Sequence, residues 1–133
     1  MLKDIALKIT DHFISNWSGC PIIYDNQPAQ DMSEEAEWAR FAIRFGDQRI
    51  TSLGDQKGTD QNIRVILQIF VANGSGTARS YELADTFTQI FRYYRIKEPA
   101  FSIEGMTPLI TTQTDGDLLQ MNVSIPLRAS FIV

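Results

Sequence analysis

The stretch that decides the fold is IRVILQIFVANGSGTARSYELADTFTQIFRYYR, residues 63–95. Its first nine residues alternate, and side chains on a β-strand point to opposite faces in turn, so 63–71 is predicted to be a strand. One face of this strand is wholly apolar and belongs in a core. That face consists of Ile63, Val65, Leu67, Ile69 and Val71, and the other, half-exposed face consists of Arg64, Ile66, Gln68 and Phe70.

A strongly amphipathic helix is predicted over 80–95. Apolar residues recur there at spacings of three and four, which places them in one stripe along a helix. The stripe contains Leu83, Ala84, Phe87, Ile90, Phe91 and Tyr94. A strand and a helix that each have one apolar face are expected to pack against each other.

The turn between them, NGSGT at 73–77, has two readings. Glycines before a helix can expose backbone N–H groups to an anion, so a phosphate-containing ligand at 74–79 is one alternative, and it would suit a small enzyme. Gly74 and Gly76 match the first two positions of the dinucleotide-binding pattern, but Arg79 stands where the third glycine is needed, and the P-loop lysine is missing. We therefore predict that the turn has a structural role, which is to reverse the direction of the chain.

Further elements are predicted on the N-terminal side. Residues 2–16 have the periodicity of a helix, and 21–24 and 37–45 read as strands, the second with Ala39, Phe41, Ile43 and Phe45 facing inward. The polar segment 46–62 is long for a connection between two strands, and either a projecting hairpin arm or a solvated loop would account for it.

The C-terminal third predicts more strands. Short strands are expected at 101–104 and 108–114, and Asp115-Gly116 is a hairpin turn signal. The final alternating run, 119–133, would span roughly 50 Å at about 3.3 Å per residue, so we expect it to bend or to reach past its own domain. Pro126 lacks an N–H, so a bulge or a sheet edge is expected near it. The element order predicts one α+β domain over 1–133, a mainly antiparallel β-sheet with two helices packed on one face.

Composition excludes several function classes. The chain of 133 residues has a net charge of −4, with no basic cluster, which argues against specific nucleic-acid binding. Cys20 and His12 are the single cysteine and histidine, so neither a disulfide framework nor a paired-histidine metal site is expected. The N-terminus lacks a signal-peptide pattern and no apolar run is long enough to span a membrane. No catalytic motif occurs, so we expect neither an enzyme nor a cofactor.

Four segments together resemble the bacteriophage tail-terminator-like (tail-completion) family. They are PIIYDNQP at 21–28, WARFAIRFGDQRITSLG at 38–54, GSGTARSYELADTFTQIFR at 74–92 and TPLITTQTDGDLLQMNVSIPLRASFIV at 107–133. They occur in the family's order and cover most of the chain. The resemblance implies an α+β fold and a structural protein that caps the tail tube, ends its polymerisation and offers a surface for head joining.

The resemblance also implies partners and a location. Family members form hexameric rings, so the expected partners are further copies of this chain, the tail tube protein and a head-completion or connector protein. The expected location is the virion tail, after assembly from the host cytoplasm.

A ring needs a contact between two different patches of each subunit. If the strands at 37–45 and 63–71 pair, one face carries tryptophan, phenylalanine and arginine, residue types that are enriched at interfaces. That face and the segment 46–62 are the candidate subunit or tube interface. Its candidate residues are Trp38, Arg40, Arg44, Arg49, Lys57, Arg64 and Phe70.

Overall fold

A computed structural model describes residues 1–25, 37–51, 58–72, 78–107, 109–115 and 118–132. The side chains of 109–115, 118 and 119 are outside that description. The elements in chain order are α1 (Leu2–Asn16), β1 (Ile22–Tyr24), β2 (Glu37–Ile50), β3 (Gly58–Ala72), α2 (Ala78–Phe91), β4 (Arg95–Lys97), β5 (Phe101–Gly105), β6 (Leu109–Asp115) and β7 (Leu118–Ile132).

The described strands form one sheet of seven strands in the order β1-β2-β3-β7-β5-β4, with β6 also paired to β7. All pairs are antiparallel except β1 with β2, which is parallel. The predicted α+β class, with a mainly antiparallel sheet and two helices, is confirmed. β4 was not predicted, and its first residue, Arg95, falls within the helix predicted over 80–95.

Both helices pack on the same face of the sheet, which we call the inner face. Phe13 of α1 stacks on Phe41 of β2 at a ring-centroid distance of 4.2 Å, and Phe87 of α2 meets the same two rings edge-on at 5.8 and 6.3 Å. The predicted stripe of α2 is buried except for Ile90, which is partly buried, and the predicted core face of β3 is buried throughout. The two-layer arrangement therefore follows from two matched apolar faces.

The segment 46–62 is largely a hairpin rather than a loop. β2 continues to Ile50, and its pairing with β3 resumes after a bulge between Phe45 and Gln48. Gln61 is 1% exposed, and its side-chain amide donates to the carbonyl oxygens of Gly46 at 2.7 Å and of Asn62 at 2.8 Å. A bulge leaves backbone groups outside the ladder, and this side chain satisfies one of them. The tip, 52–57, lies outside the described residues.

The helices cover less of the inner face near the bulge, where the hairpin begins. Phe45 shares the inner face with Ile63, its partner in the register, yet it is 37% exposed, whereas Ile63 is 4% exposed. Phe45 therefore points to the inner face, as expected, but it is not buried there.

β7 is a central strand that stays paired with β3 over Leu118–Ile132 instead of reaching past its own domain. All fifteen of its residues are in register with β3, without a shift at Pro126. The Pro126 carbonyl accepts a hydrogen bond from the Met106 N–H at 2.9 Å, so its backbone polar side faces away from β3. There the neighbouring strands are interrupted between Gly105 and Leu109, and the missing proline N–H breaks no ladder hydrogen bond.

α2 ends earlier than the sequence pattern indicates. The apolar periodicity continues to Tyr94, but the helix stops at Phe91 and Tyr93 adopts a φ of 58°. A left-handed residue just after a helix terminates it, and glycine usually occupies that position. The chain then turns into β4, and the buried Tyr94 remains part of the core.

Candidate functional site

The face of the sheet opposite the helices, which we call the outer face, collects five of the predicted interface residues. In the register of β2 with β3, Trp38 is opposite Phe70 and Arg44 is opposite Arg64, with Arg40 between them on β2. These residues alternate with the buried inner-face residues, so their side chains point away from both helices. Antiparallel pairing of two strands that are distant in sequence thus brings them together.

The aromatic members of the outer face form a cross-strand stack. The ring centroids of Trp38 and Phe70 are 4.1 Å apart, with an angle of 19° between the ring planes. Both side chains are half-buried. An aromatic pair of this kind contributes about 0.5–1.5 kcal/mol beyond its buried area and holds both rings in a fixed orientation.

The basic members form what we call the arginine patch, made of Arg40, Arg44 and Arg64. All three side chains are exposed. Arg44 forms an ion pair with Asp25, whereas Arg40 and Arg64 have no ion pair within the part of the chain that the structure describes. Arg64 is directly opposite Arg44 across the two strands, and like charges in this position are destabilising, which the Asp25 carboxylate beside Arg44 offsets in part.

Asp25 is a member of this surface that the sequence did not reveal. It directly follows β1, which pairs with the start of β2, and its carboxylate reaches Arg44 from the edge of the sheet. The two residues are 19 positions apart with no periodic relation, so no sequence signal could have joined them.

The remaining predicted interface residues are away from the arginine patch. Arg49 is exposed on the hairpin arm, where it is opposite Asp60 on the outer face. Lys57 lies outside the described residues. Arg49 therefore extends the candidate surface along the arm, beyond the bulge.

The alternative phosphate site falls mostly on residues 73–77, which are outside the described residues. Arg79 is described, and its guanidinium donates two hydrogen bonds to the Glu37 carboxylate, at 2.8 and 2.7 Å, and one to Glu82 at 3.2 Å. The two hydrogen bonds from Arg79 to Glu37 lower the pKa of Glu37. In this arrangement Arg79 ties the start of α2 to the start of β2.

We expect Arg79→Ala to lower the free energy of unfolding by about 0.5–1 kcal/mol at neutral pH, because a largely exposed ion pair is lost. The pKa of Glu37 is lower in the folded protein, so its contribution is present above the ordinary glutamate pKa of about 4.3 and is lost as the pH falls through the folded value. Urea titrations of both proteins at pH 7 and near pH 3 measure this. If the two proteins differed in free energy of unfolding by the same amount at both pH values, the stabilisation would not come from the ion pair of Arg79 with Glu37.

The contacts of His12 and the burial of Cys20 indicate that both residues have structural roles. His12 Nε2 donates to the Ile90 carbonyl at 2.7 Å, and its ring stacks on Tyr94 at 4.2 Å, so it joins α1 to α2. Burial raises the pKa of the Cys20 thiol to about 11, which keeps it protonated and unreactive. Within the described residues no group of three or more potential ligands could hold a metal ion.

A cavity of about 390 Å³ is located where α2 ends, between Thr88, Arg92, Tyr93, Met106 and Thr107. It is open to solvent, and none of these side chains forms a pair that could act as an acid and a base. The side chains that line the cavity therefore show no arrangement typical of a catalytic site, and the outer face remains the candidate functional site.

Comparison with known proteins supports the fold. No protein-family model matches the chain, and no curated protein matches it. Among the solved structures, one protein that carries an identifier in place of a functional name matches with a TM-score of 0.59 and 12% identity, over 91% of this chain and 92% of its own. At that identity the match shows a shared fold alone. In the described part of the chain, neither helix is long and apolar enough to cross a membrane.

Proposed function

We propose that this protein is a structural component of a phage tail that caps the tail tube, ends tube polymerisation and provides the surface for head joining. It acts by binding, as a ring of identical subunits, on the tail of the virion. Its partners are the neighbouring copies, the tail tube protein and a head-completion or connector protein. Before assembly it is in the host cytoplasm.

The outer face is the observation that carries the proposal. An aromatic stack beside exposed arginines, on a sheet face that both helices leave free, has the composition of an interface core. Each of the two aromatic side chains is only half-buried in the single chain, so apolar area remains for a partner to cover. The ordered resemblance of four segments to tail terminators supports the same class of function.

The hairpin arm continues the candidate surface beyond the bulge. It extends β2 and β3 past the bulge, where both strands remain paired as far as Ile50 and Thr59. Ring assembly requires two different patches on each subunit, and the outer face and the arm are the candidates for those patches or for the tube contact.

Tail length in a phage that lacks this gene tests the proposal. We expect negative-stain images to show tubes of variable and excessive length, because nothing ends polymerisation. Tails of normal, uniform length would exclude the function.

Complementation then tests the outer face. A Trp38→Ala gene should fail to restore uniform tails, whereas Tyr81→Ala should restore them, because Tyr81 is an exposed aromatic on α2, with 51% exposure, away from the outer face. Circular dichroism of both purified variants controls for folding. Equal restoration by the two variants would remove Trp38 from the interface.

A further inference from the structure

We propose that the sheet of one copy of this chain continues into the sheet of a second copy, with β6 of the first copy paired to β1 of the second. This inference rests on the proposed function and deepens it, because it assigns the contact between neighbouring subunits of the ring. The order, direction and register of the described strands carry it, since they leave two sheet edges that fit each other.

The described strands leave an open edge on each side of the sheet. The first edge consists of β1 and, beyond it, the hairpin arm of β2, and the second edge consists of β4 and β6. Within the described residues, no further strand pairs with either edge. An open edge presents N–H and C=O groups to another strand, and charges or prolines commonly protect it. Residues 109–114 of β6, LITTQT, include neither.

The two edges have complementary steps. The row of register partners through Arg40 crosses β1, β2, β3, β7 and β6, and the row through Arg49 crosses β2, β3, β7, β5 and β4. The described sheet is therefore five strands wide at both levels. β1 projects from the first edge at the level where β6 forms the second edge, and β4 projects from the second edge at the level that β1 does not reach. A copy displaced by five strand positions thus fits its first edge into the second edge of its neighbour.

Strand direction agrees with this arrangement. β2, β3, β7 and β6 alternate in direction, because each is antiparallel to the next, and β1 is parallel to β2. In a neighbour of the same orientation, β1 is therefore antiparallel to β6. A contact between two different edges is heterologous, and further copies add in the same way until the rotation closes a ring.

The backbone groups that β6 presents to the open edge follow from its pairing with β7. The Pro126 carbonyl points away from β3, toward the side on which β6 lies. Polar groups alternate along an antiparallel strand, so Asn122 points the same way and exchanges hydrogen bonds with its partner Thr111. The residues on either side of Thr111, which are Ile110 and Thr112, therefore point their N–H and C=O groups to the open edge.

The backbone groups that β1 presents are assigned in the same way. The N–H of Asp25 and the C=O of Pro21 both form hydrogen bonds with β2. Backbone direction alternates along a strand, so Ile22 and Tyr24 point their N–H and C=O groups away from β2, to the open edge.

These two sets of groups coincide when the edges meet. In the rows of the sheet, Ile22 is level with Thr112, and Tyr24 is level with Ile110. Each becomes a directly opposed antiparallel pair whose members exchange two hydrogen bonds, without any shift along the strands. A shift by one residue would instead set outward groups of one edge opposite residues that point inward on the other.

β4 and the hairpin arm meet at the second level. β5 donates a hydrogen bond to the Tyr94 carbonyl, so Lys97, three residues further on, points its polar groups to the open edge. On the arm, the N–H of Thr51 bonds to β3, so Gln48 and Ile50 point outward. Lys97 is level with the residue between Gln48 and Ile50, which is the pattern of a parallel pair.

The contact depends on backbone hydrogen bonds rather than on charge. At the second level Lys97 of one copy would lie beside Arg49 of the next, and Asp60 is directly opposite Arg49 on its own sheet. This group of three side chains has a net positive charge, which opposes association. Because salt screens such repulsion, we expect association to be at least as strong at high salt as at low salt.

A disulfide between the two edges tests the register. Directly opposed strand residues have Cα atoms about 4.5–5.5 Å apart, a distance that a disulfide can span. In a Cys20→Ala background, the chain with both Ile22→Cys and Thr112→Cys should form covalent oligomers beyond the dimer on oxidation, and the largest should contain all copies of the ring. The matched control combines Ile22→Cys with Gln113→Cys, which is one residue out of register, and should form at least tenfold less of these oligomers.

Proline substitutions test the direction of the backbone groups. Thr112→Pro removes an N–H that points to the open edge, and it should weaken association by about tenfold, measured by analytical ultracentrifugation at 50 mM and 500 mM NaCl. Thr111→Pro removes an N–H that bonds to β7, so it should lower the urea midpoint more than Thr112→Pro does. Leu7→Glu changes an exposed side chain on α1, away from both edges, and should not weaken association.

Three results would overturn the inference. They are a chain that stays monomeric over the whole concentration series, no covalent oligomers beyond the dimer from the Ile22 and Thr112 pair, and equal yields from that pair and the control pair.

Tail length separates this inference from the proposed function. If tails of the deletion phage are normal while the paired cysteines form the oligomers, the contact stands and the tail function fails. If those tails are too long while the paired cysteines form none, the function stands and this contact fails.

Discussion

Replacing Phe87 with alanine is expected to lower the free energy of unfolding by about 3–5 kcal/mol, the usual cost for a buried phenylalanine. Phe87 is fully buried on α2, and its ring contacts those of Phe13, Phe41 and Phe91. Truncation removes the apolar contact and leaves a cavity where both helices meet the sheet. Because a whole domain is stable by only about 5–15 kcal/mol, such a loss is a large fraction of the total.

Phe70→Ala is the matched control for that experiment. It removes the same side chain from the outer face, where Phe70 is half-buried and stacks on Trp38. The expected loss is about 1–2 kcal/mol. Urea unfolding followed by circular dichroism measures both variants. Equal losses would contradict the assignment of the core to the inner face.

Replacing Gly105 with alanine is expected to lower the free energy of unfolding by about 1–3 kcal/mol, the range for overpacking. A Cβ at Gly105 would be 2.7 Å from the backbone carbonyl oxygen of Phe91, and a backbone atom at the end of α2 cannot move aside as a flexible side chain can. Either α2 or β5 must shift. The thermal midpoint of the variant relative to the wild type measures the effect.

Gly46→Ala is the control for the glycine experiment. Gly46 is also in a strand region, but the nearest atoms to its added Cβ are 3.6 and 3.7 Å away, which is ordinary contact distance. We expect a change within about 0.5 kcal/mol. If the two variants were equally destabilised, the cause would be the general effect of replacing glycine in a strand rather than the close approach of β5 to α2.

The spacing of apolar residues was sufficient to predict the elements in which that spacing is regular. The alternation of β3 and the stripe of α2 predicted which side chains are buried, because a strand and a helix with one apolar face have one way to remove that face from water. The sequence pattern left two alternatives open where long-range pairing decides the structure. Residues 46–50 look polar and loop-like, yet pairing with β3 and the Gln61 hydrogen bonds make them a strand.

At the candidate site, too, spacing within one strand predicted part of the arrangement and strand pairing decided the rest. Trp38, Arg40 and Arg44 could be placed on one face of β2 from their spacing, and Arg64 and Phe70 on one face of β3. That the two faces coincide depends on the register, which sets Trp38 opposite Phe70. A shift of one residue would have put Phe70 opposite a core position, because side chains alternate along a strand.

The sequence of this chain by itself determined the apolar faces of α1, α2 and β3, and with them a sheet covered on one side by two helices. Only the tertiary structure decided that β7 is central, that Pro126 is harmless there, and that Asp25 joins the arginine patch. The reason is physical: burial of an apolar face is encoded by spacing within one element, whereas a neighbour across a sheet is set by pairing between segments that are distant in the chain.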